Sequence, residues 1–128
     1  MTIQFDINQN KSYFISSWSG EITDDELLNS YKDFYEGTLW SKELNELADL
    51  SRADVSKLTS KKIVAFCEYV QHFFEKNSVT TTKTAVYAPS DLPFGLSRIY
   101  EAWSDESPEN FRVYRDMEPA IDWLKSNK

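Results

Sequence analysis

The stretch Lys83-Thr-Ala-Val-Tyr-Ala-Pro-Ser-Asp-Leu-Pro-Phe-Gly-Leu-Ser-Arg-Ile-Tyr-Glu-Ala-Trp103 constrains the fold more than any other. Lys83 to Ala88 is short and apolar, and Val86 and Tyr87 favour an extended backbone. Pro89-Ser90-Asp91 is turn chemistry, in which Ser90 or Asp91 can cap a helix. Pro93 suits a first helical turn, where its missing N–H breaks no bond. From Phe94 to Trp103 apolar residues recur at helical spacing. A buried strand, a turn and a helix in that order are the unit of an α/β fold.

The rest of the chain repeats this unit. Ile3, Phe5 and Ile7 alternate with polar residues as in a half-buried strand, and Asn8-Gln9-Asn10-Lys11 reads as a tight turn. Ser12 to Trp18 is a second strand, with Tyr13 and Ile15 on one face and Phe14 and Trp18 on the other, so both faces should be covered; Gly20 should end it. Thr23-Asp-Asp-Glu26 is a capping box. It opens a helix whose stripe is Leu27, Leu28, Tyr31, Phe34 and Tyr35 and which Gly37 stops. Leu44 to Leu50 is a third strand, followed by a loop from Arg52 to Leu58.

Thr59 or Ser60 caps a second helix carrying Ile63, Phe66, Cys67, Val70, Phe73 and Phe74, which ends near Lys76-Asn77. Ser107-Pro108 closes the helix of the central unit. Phe111 to Arg115 is a last strand, and Asp116 caps a last helix with Ala120, Ile121, Trp123 and Leu124. Strands alternating with helices predict a mostly parallel sheet with helices on its faces.

A chain of 128 residues is expected to form one domain with a core that needs no metal or disulfide. Four Trp and an aromatic content of 15% point to a core dense in rings, some of which could line an apolar pocket. The net charge of −7 argues against nucleic acid and anionic membranes as partners. Cys67 is the sole cysteine, which fits a reducing compartment. The start has no basic segment followed by an apolar one, and no apolar run is long enough to span a membrane. A cytoplasmic protein without integral membrane contact is the expectation.

Asp49-Leu-Ser51, the run Ala88-Pro-Ser-Asp-Leu-Pro-Phe-Gly-Leu-Ser-Arg-Ile-Tyr-Glu-Ala102 and the ending Phe111-Arg-Val-Tyr-Arg-Asp116 with Ala120-Ile-Asp-Trp-Leu124 resemble the STAS-like, or SpoIIAA-like, group of small bacterial proteins. The resemblance covers nearly the whole chain and implies a single STAS-like domain over residues 1–128. It implies a five-stranded sheet, four strands parallel and the first antiparallel, with four helices. The wider superfamily holds anti-sigma-factor antagonists and anion-transporter domains, and related architecture occurs in CRAL-TRIO-type lipid carriers. Anti-sigma-factor antagonists are switched by phosphorylation of a serine in Asp-Ser-Ser-Gly. The matching region here reads Lys57-Leu-Thr-Ser-Lys-Lys62. Thr59 and Ser60 are the nearest hydroxyls that could be phosphorylated, and helix capping already accounts for one of them.

Ligands of open parallel sheets sit beyond the carboxyl ends of the strands. That rim would collect Asp49, Ser51, Ser90, Asp91, Phe94, Gly95 and Arg98 as candidate ligand-binding residues. Helix N-termini there would favour a small anion. The alternative is that the acids and serines are caps and turn residues and that Arg98 pairs with Glu101 on the surface. Gly95 costs roughly 1 kcal/mol inside a helix, so it should mark close helix–sheet packing or the approach of a ligand. Asp49, Asp91 and Asp116 could form a magnesium site only if their strands are neighbours. Cys67 and His72 are five apart on a helix and do not face each other, which disfavours a nucleophile pair or a zinc site. No metal, cofactor or catalytic residue is assigned.

The sequence therefore predicts a non-enzymatic STAS-like regulatory or binding module acting through a protein partner or a small ligand. A carrier of a lipid or other apolar molecule is the alternative, with Phe73, Phe74, Phe94, Tyr100 and Trp103 flanking a cleft. A hydrolytic enzyme using rim carboxylates is the third. The first strand lies at a sheet edge, where a homodimer could pair.

Overall fold

The structure, a computed structural model, describes residues 2–7 and 12–126. The turn expected at Asn8 to Lys11 lies outside them. Nine elements follow in order: β1 Ile3–Ile7, β2 Tyr13–Glu21, α1 Asp24–Tyr35, β3 Asn45–Asp54, α2 Ser60–Lys76, β4 Thr82–Tyr87, α3 Asp91–Trp103, β5 Glu109–Tyr114 and α4 Met117–Lys125. The strands form one sheet in the order β1-β2-β3-β4-β5, with β1 antiparallel to β2 and the other pairings parallel.

This sequential order decides where the helices go. Crossovers between parallel strands are right-handed. When each crossover steps in the same direction, all of them fall on one face. The buried residues of α1, α2 and α3 accordingly share one core with Phe14, Trp18, Ala48, Leu50 and Val86. Helix α4 follows the last strand and packs its Ala120 and Leu124 on the opposite face, against Tyr13, Leu47 and Ala85. Strand β2 is thus buried on both faces at Tyr13 and Phe14, as its pattern predicted.

Local chemistry explains the ends of the elements. Thr23 Oγ1 accepts the Glu26 N–H at 3.2 Å and opens α1. Thr59 Oγ1 does the same for Lys62 at 3.2 Å and opens α2. Ser90 and Asp116 occupy the N-cap positions of α3 and α4 but make no side-chain capping bond. Strand β2 continues past the expected stop at Gly20, which takes φ 72°, a conformation open to glycine at no steric cost.

Strand β3 runs to Asp54, beyond the expected end at Leu50, because it carries a bulge there. Ser17 pairs with Asp49 and Ser19 with Arg52, so β3 has one residue more than β2 between these pairs. Asp49 Oδ1 accepts the Ser51 N–H at 2.9 Å and its hydroxyl at 2.7 Å, within the bulged segment. Strand β5 starts at Glu109, two residues before the expected Phe111.

Candidate functional site

A band of buried polar side chains crosses the sheet under the α1–α3 layer. Glu46 on β3 is 5% exposed and Glu109 on β5 is 6% exposed. Thr84 on β4 stands between them, in register with Glu46 and donating its hydroxyl to Glu109 Oε2 at 2.5 Å. Tyr100 of α3 donates to Glu109 Oε1 at 2.7 Å. Tyr31 of α1 and Ser16 of β2 donate to Glu46 Oε2 at 2.5 and 2.6 Å. The Trp18 indole N–H lies 3.3 Å from both Ser16 Oγ and Tyr31 Oη. Each acid therefore has a tyrosine from the helix layer above and a hydroxyl from the neighbouring strand beside it.

Burial pushes the Glu46 carboxyl up to about 7, opposed by the Ser16 and Tyr31 bonds and reinforced by the charge of Glu109. Glu109 is raised for the same first reason, opposed by the Thr84 and Tyr100 bonds. Burial also drives the Tyr31, Tyr35 and Tyr100 hydroxyls well above their ordinary range. They remain hydrogen-bond donors at any physiological pH.

The two acids border a cavity of about 60 Å³ between the sheet and the helices. Its wall is otherwise apolar and aromatic, with Trp18, Tyr31, Tyr35, Phe66, Tyr100 and Phe111 supplying rings. No Lys, Arg or His lines it. Leu96 on α3 and Phe111 on β5 are the only lining residues that are not fully buried. These two half-buried residues lie on α3 and β5, at an edge of the sheet.

Among the described residues, every side-chain nitrogen or oxygen sealed from water-sized space has a hydrogen-bond partner. Ser97 Oγ, on a residue 7% exposed that lines the cavity, has none, and both bonds to Glu46 end on Oε2, leaving Oε1 free. Each of these two oxygens therefore keeps contact with water-sized space, and both residues line the cavity.

The fold matches a solved structure. It is a protein of the DUF3478 family from Shewanella loihica PV-4, described as uncharacterized and as having a SpoIIAA-like fold. The TM-score is 0.58 at 16% identity, over 95% of this chain and 91% of that one. This chain has the SpoIIAA-like fold. The fold implied by the sequence resemblance is thereby borne out, strand directions and helix number included. Comparison with protein-family profiles finds no match, and none of the curated proteins matches.

The residues singled out from the sequence lie elsewhere on the SpoIIAA-like frame. Asp49 and Ser51 bond each other in the β3 bulge. Asp91 is paired with Arg115 at 2.8 Å, and the Arg115 guanidinium sits 4.1 Å from the centre of the Phe94 ring and donates to the Pro89 carbonyl at 3.1 Å. Ser90 is the α3 N-cap. Arg98 pairs with Glu101 at 3.0 Å. A Cβ on Gly95 would meet nothing within 4 Å, so close helix–sheet packing does not account for this glycine. None of these residues lines the cavity. The sequential strand order also has no reversal, and hence no switch-point crevice at the strand ends.

Thr59 and Ser60 are both exposed, Thr59 as the α2 cap. Cys67 is core, its thiol pushed up to about 12 by burial, while His72 is exposed. Of the rings expected to flank a cleft, only Tyr100 lines the cavity. Phe73 and Phe74 pack with Tyr35 and Trp40, and Trp103 is 58% exposed. Among the described residues no three His, Cys, Asp or Glu side chains gather as a metal-holding group, and no helix is long and apolar enough to cross a membrane.

Glu46 and Glu109 escaped the sequence reading. The signal was present for Glu46: it shares the alternation with Ala48 and Leu50, an acid in line with apolar positions. Glu109 stands in the same relation to Phe111 and Val113 but lay outside the expected strand.

Proposed function

We propose that this protein is a STAS-like binding module that takes a small molecule into the cavity between its sheet and the α1–α3 layer. The observation that carries the reading is the pair of oxygens, Ser97 Oγ and Glu46 Oε1, left without protein partners on an otherwise apolar wall. Ligand sites combine apolar walls with a few convergent polar groups and titratable residues of perturbed pKa. The α3–β5 seam at Leu96 and Phe111 is the route of access, since an edge strand is held by one neighbour only.

The test is a ligand-observed NMR screen of small organic molecules against the full chain and against Ala48→Leu, a substitution on the cavity wall. Compounds should bind the wild type and lose binding in a variant whose circular dichroism shows it folded. Compounds that bind both proteins equally would place their site outside the cavity and remove the basis of the proposal.

A further inference from the structure

Building on the ligand-binding reading above, we propose that the ligand of this cavity is a small organic amine, bound as its ammonium ion by Glu46 with a short apolar body among the aromatic rings. The wall itself selects the class. Its unused groups are a carboxyl oxygen and a hydroxyl, and it holds two acids and no basic side chain. An anion would be repelled by both acids in a site shielded from water. A carboxylate without a counter-charge is costly to bury, and so is an ammonium. Each supplies what the other lacks.

The surroundings of Glu46 favour this pairing. The ion pairs among the described residues are Arg98–Glu101 and Arg115–Asp91, so neither Glu46 nor Glu109 already has a cation. Ser16 and Tyr31 both donate to Glu46 Oε2, which stabilises the ionised form and leaves Oε1 to the ligand. Six aromatic rings line the cavity, and aromatic π faces attract cations. About 60 Å³ is room for roughly four water-sized groups, the size of a three-carbon amine. The net charge of −7 draws cations toward the protein as a whole.

The proton balance is simple. Below about pH 7 Glu46 is largely protonated. Binding of R–NH₃⁺ then forms the ammonium–carboxylate pair and releases the Glu46 proton to solvent. The other titratable groups lining this site are Tyr31 and Tyr35 from α1, Tyr100 from α3 and Glu109 from β5, and Cys67 of α2 lies close to Tyr100 behind them. The tyrosines and the thiol stay protonated across the range. Glu109 titrates in the same direction as Glu46.

Titration calorimetry of the full chain with n-propylamine, propan-1-ol and propionate tests the assignment. The amine should bind at least tenfold more tightly than the other two. Its affinity should rise by up to tenfold per pH unit below about 7 and level off above, with a proton released on the rising limb. Glu46→Gln should remove both the pH dependence and most of the affinity. Propan-1-ol binding as tightly as the amine would overturn the ammonium assignment while leaving the cavity reading in place. Amine binding unchanged in Glu46→Gln would move the ion to the acidic surface and also overturn it. Failure of all three probes to bind would sink both this inference and the cavity reading.

Discussion

Glu46 on β3 and Glu109 on β5 flank Thr84 on one buried face of the sheet, and neither is paired with a basic residue. This inverts the usual pH behaviour of a carboxyl in a folded protein. Below about 4.5 Glu46 is protonated whether the chain is folded or not. Between 4.5 and about 7 the folded chain retains a proton that the unfolded chain has lost. Stability must then fall as pH rises through this window. At roughly 1.4 kcal/mol per pH unit the loss above pH 7 is about 3 kcal/mol for Glu46 alone, and Glu109 adds to it in the same direction. Urea midpoints from pH 4.5 to 8 should decline for the wild type. Glu46→Gln keeps an acceptor for Ser16 and Tyr31, so it should flatten the decline and be the more stable protein at pH 8. A wild type whose stability rises across this window would contradict the account.

Gly95 should be replaceable at a gain. It lies inside α3, is exposed, and a Cβ there would meet open space. Gly95→Ala removes the conformational freedom that glycine gives the unfolded chain. It is expected to stabilise by about 0.5–1 kcal/mol, read as a higher denaturant midpoint at unchanged slope. A lower midpoint would mean that the glycine serves a contact absent from the folded chain alone.

The fold was legible in the sequence because its signals are local. Thr23 and Thr59 cap where their spacing to the following apolar stripes placed them, and the strand–turn–helix run around Pro89 forms as read. What local pattern cannot supply is the strand order. Without it, the carboxyl ends of the strands looked like a rim for Ser90, Asp91 and Arg98. The sequential order puts the cavity under the helices instead. The candidate site was largely illegible for a related reason. A glutamate on a half-buried strand looks like a surface residue until Tyr31 and Tyr100, distant in sequence, are seen to lean on Glu46 and Glu109.

Those two tyrosines should be unequal to serine-like decoration of the core. Tyr31→Phe deletes one of two donors to Glu46, and Tyr100→Phe one of two to Glu109. Each should cost about 1–3 kcal/mol, since a buried carboxyl loses a hydrogen bond while the ring packing is kept. Each should also raise the pKa of its carboxyl further, because the lost bond favours the charged form. Carboxyl carbon NMR titration of the glutamates reads the second effect independently of stability.

Lys83 secures α4, the one helix among the described residues on its face of the sheet. Its ammonium donates to the Trp123 carbonyl at 3.1 Å, to the Ser126 carbonyl at 2.7 Å and to Ser126 Oγ at 3.0 Å. Both carbonyls lie at the C-terminal end of α4, where a cation is favoured by the helix dipole. The same ammonium lies 5.2 Å from the centre of the Trp123 ring. Lys83→Met keeps most of the apolar stem and removes the charge and all three bonds. Without them α4 is held by the packing of Ala120 and Leu124, with Met117, Ile121 and Trp123 beside them, on the face that buries Leu47 and Ala85. Global stability should fall by roughly 1–3 kcal/mol. Amide exchange should quicken first in α4, before the strands beneath it. Equal protection of α4 in the variant and the wild type would show that packing suffices and that Lys83 is not its anchor.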